Sequence, residues 1–371
     1  MTGVQTCALP IYFRRWPLAG NGSSLYWEGL NKGKKSIAID LSRREGRGLA
    51  VRLIVAPGPG SGVFLTNFPA SGFLSYKALS EARADMIVVR VMGTPDEGPA
   101  VDYTVNAALG VPRMTGPASL GDEPVNHVLP AWDIATGAYA AFALLAADRH
   151  RQATGRGQEV RIPLSDVALA TLGNIGQLAE AELAGRDRPR YGNDLFGAFG
   201  RDFATRDGHR IMLVAITPRQ WTGLVETLGI GAEITAIEKS AGVSFAKDEG
   251  LRFEHRERLN QIVARAVAAR ALGDLAAAFD KAGVCWGPYR SLRETLVEPN
   301  PLLVRVTHGS GQSYLTPGPA AAFGAAGRET PQPAPRLGEH TDEVLSTCLG
   351  MSSAEIARLH DQRIVAGPTR A

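Results

Sequence analysis

The chain has 371 residues, enough for two domains, and its 44% hydrophobic and 21% charged residues give the balance of a folded globular protein. Forty Lys and Arg against 37 Asp and Glu leave a net charge of +3, which argues against a nucleic-acid-binding surface and suits at most an anionic small molecule. The most apolar stretch, Ala138–Ala147, is about ten residues long, which fits a buried helix and is too short for a membrane span.

In chain order, the first segment is anomalous. Back-translated from a GTG start, Met1–Ile11 spells a common sequencing-library adapter. A signal peptide would need a basic beginning and a longer apolar core. Residues 1–12 are therefore set aside as adapter-derived, Cys7 is given no role, and the authentic sequence is expected from Phe13. Ser36–Leu41 alternates and reads as a strand. Ser42 and Glu45 then form the pattern of a capping box for a helix over Arg43–Val55. Gly62–Leu65 and Met86–Met92 are short, apolar and β-branched, as buried parallel strands are, with a helix over Gly72–Arg83 between them. Ile134–His150 is a long Ala-rich helix, followed by the turn Thr154–Gln158 and the strand Glu159–Pro163. Ser165–Ala184 reads as one helix ended by Gly185. Beyond it Gly, Asn, Asp and Phe dominate up to Gly208. His209–Ile216 reads as a strand, Pro218–Leu228 and residues 255–282 as helices, residues 317–335 as an extended Pro- and Ala-rich arm, and Glu343–Leu349 and Ser353–His360 as closing helices. Strands alternating with helices imply an α/β fold.

The three cysteines, Cys7, Cys285 and Cys348, form neither a metal-type pair nor an even framework, which suits a reducing cytoplasm. The P-loop, the dinucleotide GxGxxG, the zinc HExxH and the GxSxG elbow are all missing. What remains is Asp133, at the start of the long helix in Pro130-Ala131-Trp132-Asp133. An aspartate there can simply be the N-cap. It can also act as a nucleophile, beside helix amides that stabilise a developing oxyanion.

Leu30–Leu41 (LNKGKKSIAIDL), Thr66-Asn67-Phe68-Pro69, the block from Pro130 with its TGRGQ turn, and Leu337–Leu345 (LGEHTDEVL) together resemble the class III CoA-transferases, the formyl-CoA transferase-like family, in the same order along the chain. The resemblance implies a Rossmann-like large domain made from both chain ends, here residues 13–199 and 301–371. A smaller α+β domain would be inserted at about residues 200–300, and two chains would interlock as a homodimer. It makes Asp133 the catalytic nucleophile, carrying first an acyl group and then CoA, with no metal or separate cofactor, since CoA is part of the substrate. Asn67, Phe68, Ile39 and Asp102 match CoA-contacting or active-site positions. Related racemases place a proton-transferring His just before the acid at 102, where this chain has Val101, so racemase chemistry is disfavoured. The family's basic residue after the Asn-Phe pair has no counterpart in Ala70–Tyr76, and its first strand-helix-strand would precede Phe13.

Phe64–Pro69, Val101–Asn106, Val125–Asp133 and Gly192–Thr205 look closest to a subgroup that shifts CoA between the two carboxyls of one diacid. That chemistry needs donors for the free carboxylate, for which His127, Arg113 and Arg201 are the candidates. The alternatives are an intermolecular CoA-transferase using a separate acid, and an inactive fragment or non-catalytic acyl-CoA binder.

Overall fold

The computed structural model describes residues 2–6, 15–69 and 71–368, so Cys7, Tyr12 and Phe13 lie outside the described residues. The chain divides into two compact units, the first formed by 1–100, 133–167 and 299–371 and the second by 101–132 and 168–298. The second unit thus takes in two stretches that lie before the expected insertion at 200.

In the first unit, Lys35–Ile39 pairs in parallel with Thr2–Thr6 and antiparallel with Val365–Ala366. The strand at Thr2–Thr6 falls in the segment set aside as adapter-derived. Strand pairing uses main-chain groups that every residue except proline carries in full, so an open sheet edge accepts a short β-prone stretch whatever its origin. A second sheet is wholly parallel, in the order Val63–Thr66, Ile87–Met92, Gln158–Pro163. Its central strand is fully buried from Ile87 to Val89, as its continuous apolar run requires. Gly157 belongs to the TGRGQ turn because a Cβ there would sit 1.9 Å from the Met86 carbonyl oxygen. Beyond Pro317 the Pro- and Ala-rich arm forms no helix or strand apart from the isolated bridge Phe323–Gly327, and it follows an unforeseen hairpin, Leu303–Thr307 with Ser313–Pro317.

Two helix expectations are corrected. The helix Arg44–Ile54 has no side-chain cap, because the Ser42 hydroxyl donates to Asp40 Oδ1 at 2.6 Å instead. Asp40 is two residues away and closes a tight local turn that competes with the capping box. The helix expected over Ser165–Ala184 is two, Leu164–Asn174 and Gln177–Ala184, broken where Gly176 takes φ +81°.

The second unit is built on the antiparallel sheet Phe199–Ala204, Arg210–Ala215, Cys285–Pro288. Helices including Pro218–Leu228, Arg256–Ala268 and Leu272–Ala282 bury Trp221, Leu224, Val263 and Phe279 against it. Arg252 is fully buried in this unit, donating to the carbonyls of Phe245, Ala215 and Ile216. No helix among the described residues is long and apolar enough to cross a membrane.

Candidate active site

The long helix runs over Ala131–Thr154. It starts earlier than the sequence suggested, so Asp133 occupies its third position and is not the N-cap. A carboxylate in the first turn still feels the positive end of the helix dipole. The Asp133 side chain is exposed in the single chain. Ala140 and Ala147 lie on the buried face of the helix and pack against Ile87, Val89 and Ile162. On the other face, Ile134, Phe142 and Leu145 are exposed by 59%, 72% and 67%. A helix apolar all round is not finished by its own chain.

Trp132, the residue before Asp133, is held at two points. Its main-chain N–H donates to Asp102 Oδ2 at 2.7 Å, and its indole N–H to Asn106 Oδ1 at 3.1 Å. Asp102 and Asn106 lie four residues apart on the helix Asp102–Ala108, so both face the same way. Asp102 also binds His127 Nε2 through Oδ1 at 2.7 Å. Asp102, Asn106 and Trp132 are buried, and His127 is half-buried between Tyr103 and Trp132. Sequence reading singled out Asp102 and His127 separately but missed their pairing and missed Asn106. The Trp132 amide, one of those offered to an oxyanion, is taken by Asp102.

Of the other candidates, Asn67 and Phe68 are exposed at the carboxyl end of the parallel strand Val63–Thr66, with the Phe68 N–H turned back to Thr66 Oγ1 at 3.0 Å. Loops at that end of a parallel sheet are where open α/β folds bind ligands. Ile39 is fully buried among Leu49, Val344, Leu345 and Ile364, so its side chain is closed to a ligand and only its main chain could serve one. The three residues chosen for a free carboxylate are not gathered. His127 is engaged by Asp102, Arg201 Nη1 donates to Asp194 Oδ2 at 2.9 Å, and exposed Arg113 lines a cleft with Arg188 and Arg190. Arg190 is itself buried and donates to the carbonyls of Thr115 and Glu123.

The second unit contains a cavity of about 280 Å³ whose lining includes Trp132. Val111, Met114, Leu172 and Phe196 make it apolar, and Gln177 and Arg188 are among its polar groups. The run of Gly, Asn, Asp and Phe after Gly185 was the sequence signal for this site, since Tyr191, Gly192, Asp194 and Phe196 all line it. No cluster of three or more His, Cys, Asp or Glu among the described residues is arranged to hold a metal ion.

A family model described as CoA-transferase family III matches residues 12–341. The chain is 48% identical to the 2-methylfumaryl-CoA isomerase of Chloroflexus aurantiacus over 97% of this chain and 89% of that protein. It is 29% identical to the succinate–glutarate CoA-transferase of Agrobacterium fabrum over 88% of this chain and 81% of that protein. Among solved structures, a CAIB/BAIF family protein from Brucella suis superposes with a TM-score of 0.71 at 24% identity, covering 93% of this chain and 90% of that one. This likeness extends to the α/β fold as a whole.

Proposed function

Because the chain belongs to CoA-transferase family III and is an enzyme of that kind, we propose that it moves CoA from the C1 to the C4 carboxyl of 2-methylfumarate (mesaconate), converting 2-methylfumaryl-CoA to 3-methylfumaryl-CoA. The observation that carries this reading is the 48% identity to an isomerase of that substrate across almost the whole chain. Asp133 is the nucleophile. Its carboxylate attacks the thioester carbon, the C–S bond breaks, and CoA leaves as the thiolate from a mixed anhydride. The thiolate then attacks the Asp133 carbonyl, the anhydride C–O bond breaks, and the diacid is freed while the enzyme carries CoA. The C4 carboxylate attacks this aspartyl thioester, and the same two steps in reverse order deliver CoA to C4. The thioester energy of the substrate is conserved in the product, so one difficult exchange becomes several easier ones without ATP or metal.

What supports Asp133 is its place in the first turn of a helix whose preceding amide is fixed by buried Asp102. Asn67 and Phe68 are proposed to contact CoA from the strand end. The exposed apolar stripe on the helix that bears Asp133 supports an interlocked homodimer in which that face is covered. The exposed, unpaired thiols of Cys285 and Cys348 suit a reducing cytoplasm.

The test is turnover of 2-methylfumaryl-CoA without added acid. Product formation supports the intramolecular reading, and product only with an added carboxylic acid points to an intermolecular transferase. Asp133→Ala should cut turnover by about a thousandfold or more while CoA-ester binding persists. Unchanged turnover in that variant would refute the mechanism.

A further inference from the structure

We propose that the cavity lined by Trp132, Gln177 and Arg188 is a binding site for a free monocarboxylate with a short apolar carbon chain. Every lining residue belongs to the second unit, and the site is complete without Asp133. Such a site lets the enzyme recognise an acid that carries no CoA.

Arg188 supplies the cation. Its guanidinium carbon stands 3.7 Å from the Phe196 ring centroid, and its Nε and Nη2 both donate to Glu180 Oε2, the first at 2.9 Å. One face and one edge of the plane are thereby fixed. Nη1 has no partner among the described residues, although the side chain is only 18% exposed. A guanidinium taken that far out of water needs its donors paired. The ring that carries it is itself braced. Phe196 lies 5.7 Å from Tyr191 and 5.1 Å from Phe253, and Arg256 covers both of those rings. Trp132 is held by Asp102 and Asn106, so these parts of the lining are set before a ligand arrives.

Gln177 is the second incomplete group. Its buried side-chain oxygen has no partner among the described residues. The two ends of a side-chain amide have the same shape, and the alternative orientation places NH₂ there, a donor for an anion.

Charge and size select the ligand. Asp194, the acidic residue of the lining, is already engaged by Arg201 at 2.9 Å, Arg256 at 3.9 Å and Asn260 at 3.0 Å. Arg188, Arg201 and Arg256 against Glu180 and Asp194 leave one positive charge in this network, which a single carboxylate balances and a phosphate dianion exceeds. Val111, Met114, Leu172 and Phe196 offer an apolar surface to the carbon chain. At about 280 Å³ the cavity falls just under the ~300–1,000 Å³ of ordinary small-molecule sites, so that chain is a few carbons long.

The test uses the full chain carrying ¹³C-methyl methionine, because Met114 lines the cavity while Met86 and Met351 belong to the first unit. The Met114 resonance is assigned with Met114→Leu. The probes are 2-methylbut-2-enoate, its neutral amide and inorganic phosphate. The acid should shift the Met114 methyl saturably and leave Met86 and Met351 in place, and the amide and phosphate should leave all three in place. Arg188→Gln should weaken binding of the acid by about tenfold to a hundredfold, the range for a lost charge-assisted hydrogen bond. Arg188→Lys should fall between it and wild type, because it keeps the charge without the planar fork. Gln177→Glu puts a repelling carboxylate in the cavity and should also weaken binding. Native Met86 and Met351 resonances show that a variant is folded. A Met114 methyl that ignores the acid, an amide or phosphate that shifts it as strongly, or folded Arg188→Gln and Gln177→Glu variants that bind the acid like wild type would each overturn the proposal.

Discussion

Trp132 donates its main-chain and indole N–H groups to Asp102 and Asn106, so the residue beside the proposed nucleophile is fixed from both ends. Asp102 is a positioning residue in this arrangement. An amide in its place could accept from Trp132 but would meet His127 with a different donor pattern. Asp102→Asn should therefore lower kcat by about tenfold to a hundredfold, since hydrogen bonds to charged groups contribute ~1.5–3 kcal/mol. KM for the CoA ester should stay near the wild-type value, and steady-state kinetics would check this. A parallel loss in KM would assign Asp102 to substrate binding instead. The sequence made Asp102, His127 and Asp133 visible as residue types in a matching motif. It could not show that Asp102 joins His127 and Trp132, because that pairing closes over 25 and 30 residues.

At the scale of elements, the hairpin Leu303–Thr307/Ser313–Pro317 is tied to the helix Leu25–Leu30 by a buried polar chain. Tyr314 donates its hydroxyl to Glu28 Oε2 at 2.7 Å, and its ring stacks on His308 at 4.7 Å. His308 Nδ1 lies within 3.5 Å of the Ala334 N–H and accepts from it, so Nε2 carries the proton and donates to Thr316 Oγ1 at 3.2 Å. Burial lowers the His308 pKa below its ordinary 6.5, with Glu28 opposing and Lys32 assisting. Desolvation and the hydrogen bond of Glu28 push the Tyr314 hydroxyl up. The sign for His308 follows from linkage: the unfolded chain binds the proton more readily than the folded one. Stability is thus full above 6.5 and is lost as pH falls through the depressed folded value. Urea midpoints measured from about pH 8 to about pH 5 should show this decline, and His308→Gln should flatten it. Periodicity foretold Pro218–Leu228 to the residue and the parallel strands to within one or two. It missed Phe199–Ala204, where Gly200, Arg201 and Asp202 interrupt the apolar pattern that cross-strand pairing with Arg210–Ala215 restores.

At the scale of the whole molecule, the α/β class came from alternation of elements, but the assignment of segments to domains came from resemblance. Composition cannot show that residues 101–132 belong with 168–298. The assembly is also predicted at this scale. Phe142 and Leu145 lie on the exposed face of the helix bearing Asp133, and large apolar side chains left in water mark an interaction surface. Light scattering after size exclusion should give twice the 39.4 kDa chain mass. Phe142→Glu combined with Leu145→Glu should yield monomer with little activity, and an active monomer would show that the stripe serves another purpose.

The alternation of segments between the two units also orders events on the ribosome. Every residue of the second unit has been made once Glu298 is added, and its core, from Phe199 to Val284, needs nothing later. The first unit still lacks Val344, Leu345, Ile356, Ile364 and Val365, which close the core around Ile37 and Ile39. During synthesis the later-starting unit can therefore condense first, while the earlier one waits for the end of translation, and a premature stop in the closing helices would spare the one and leave the other open.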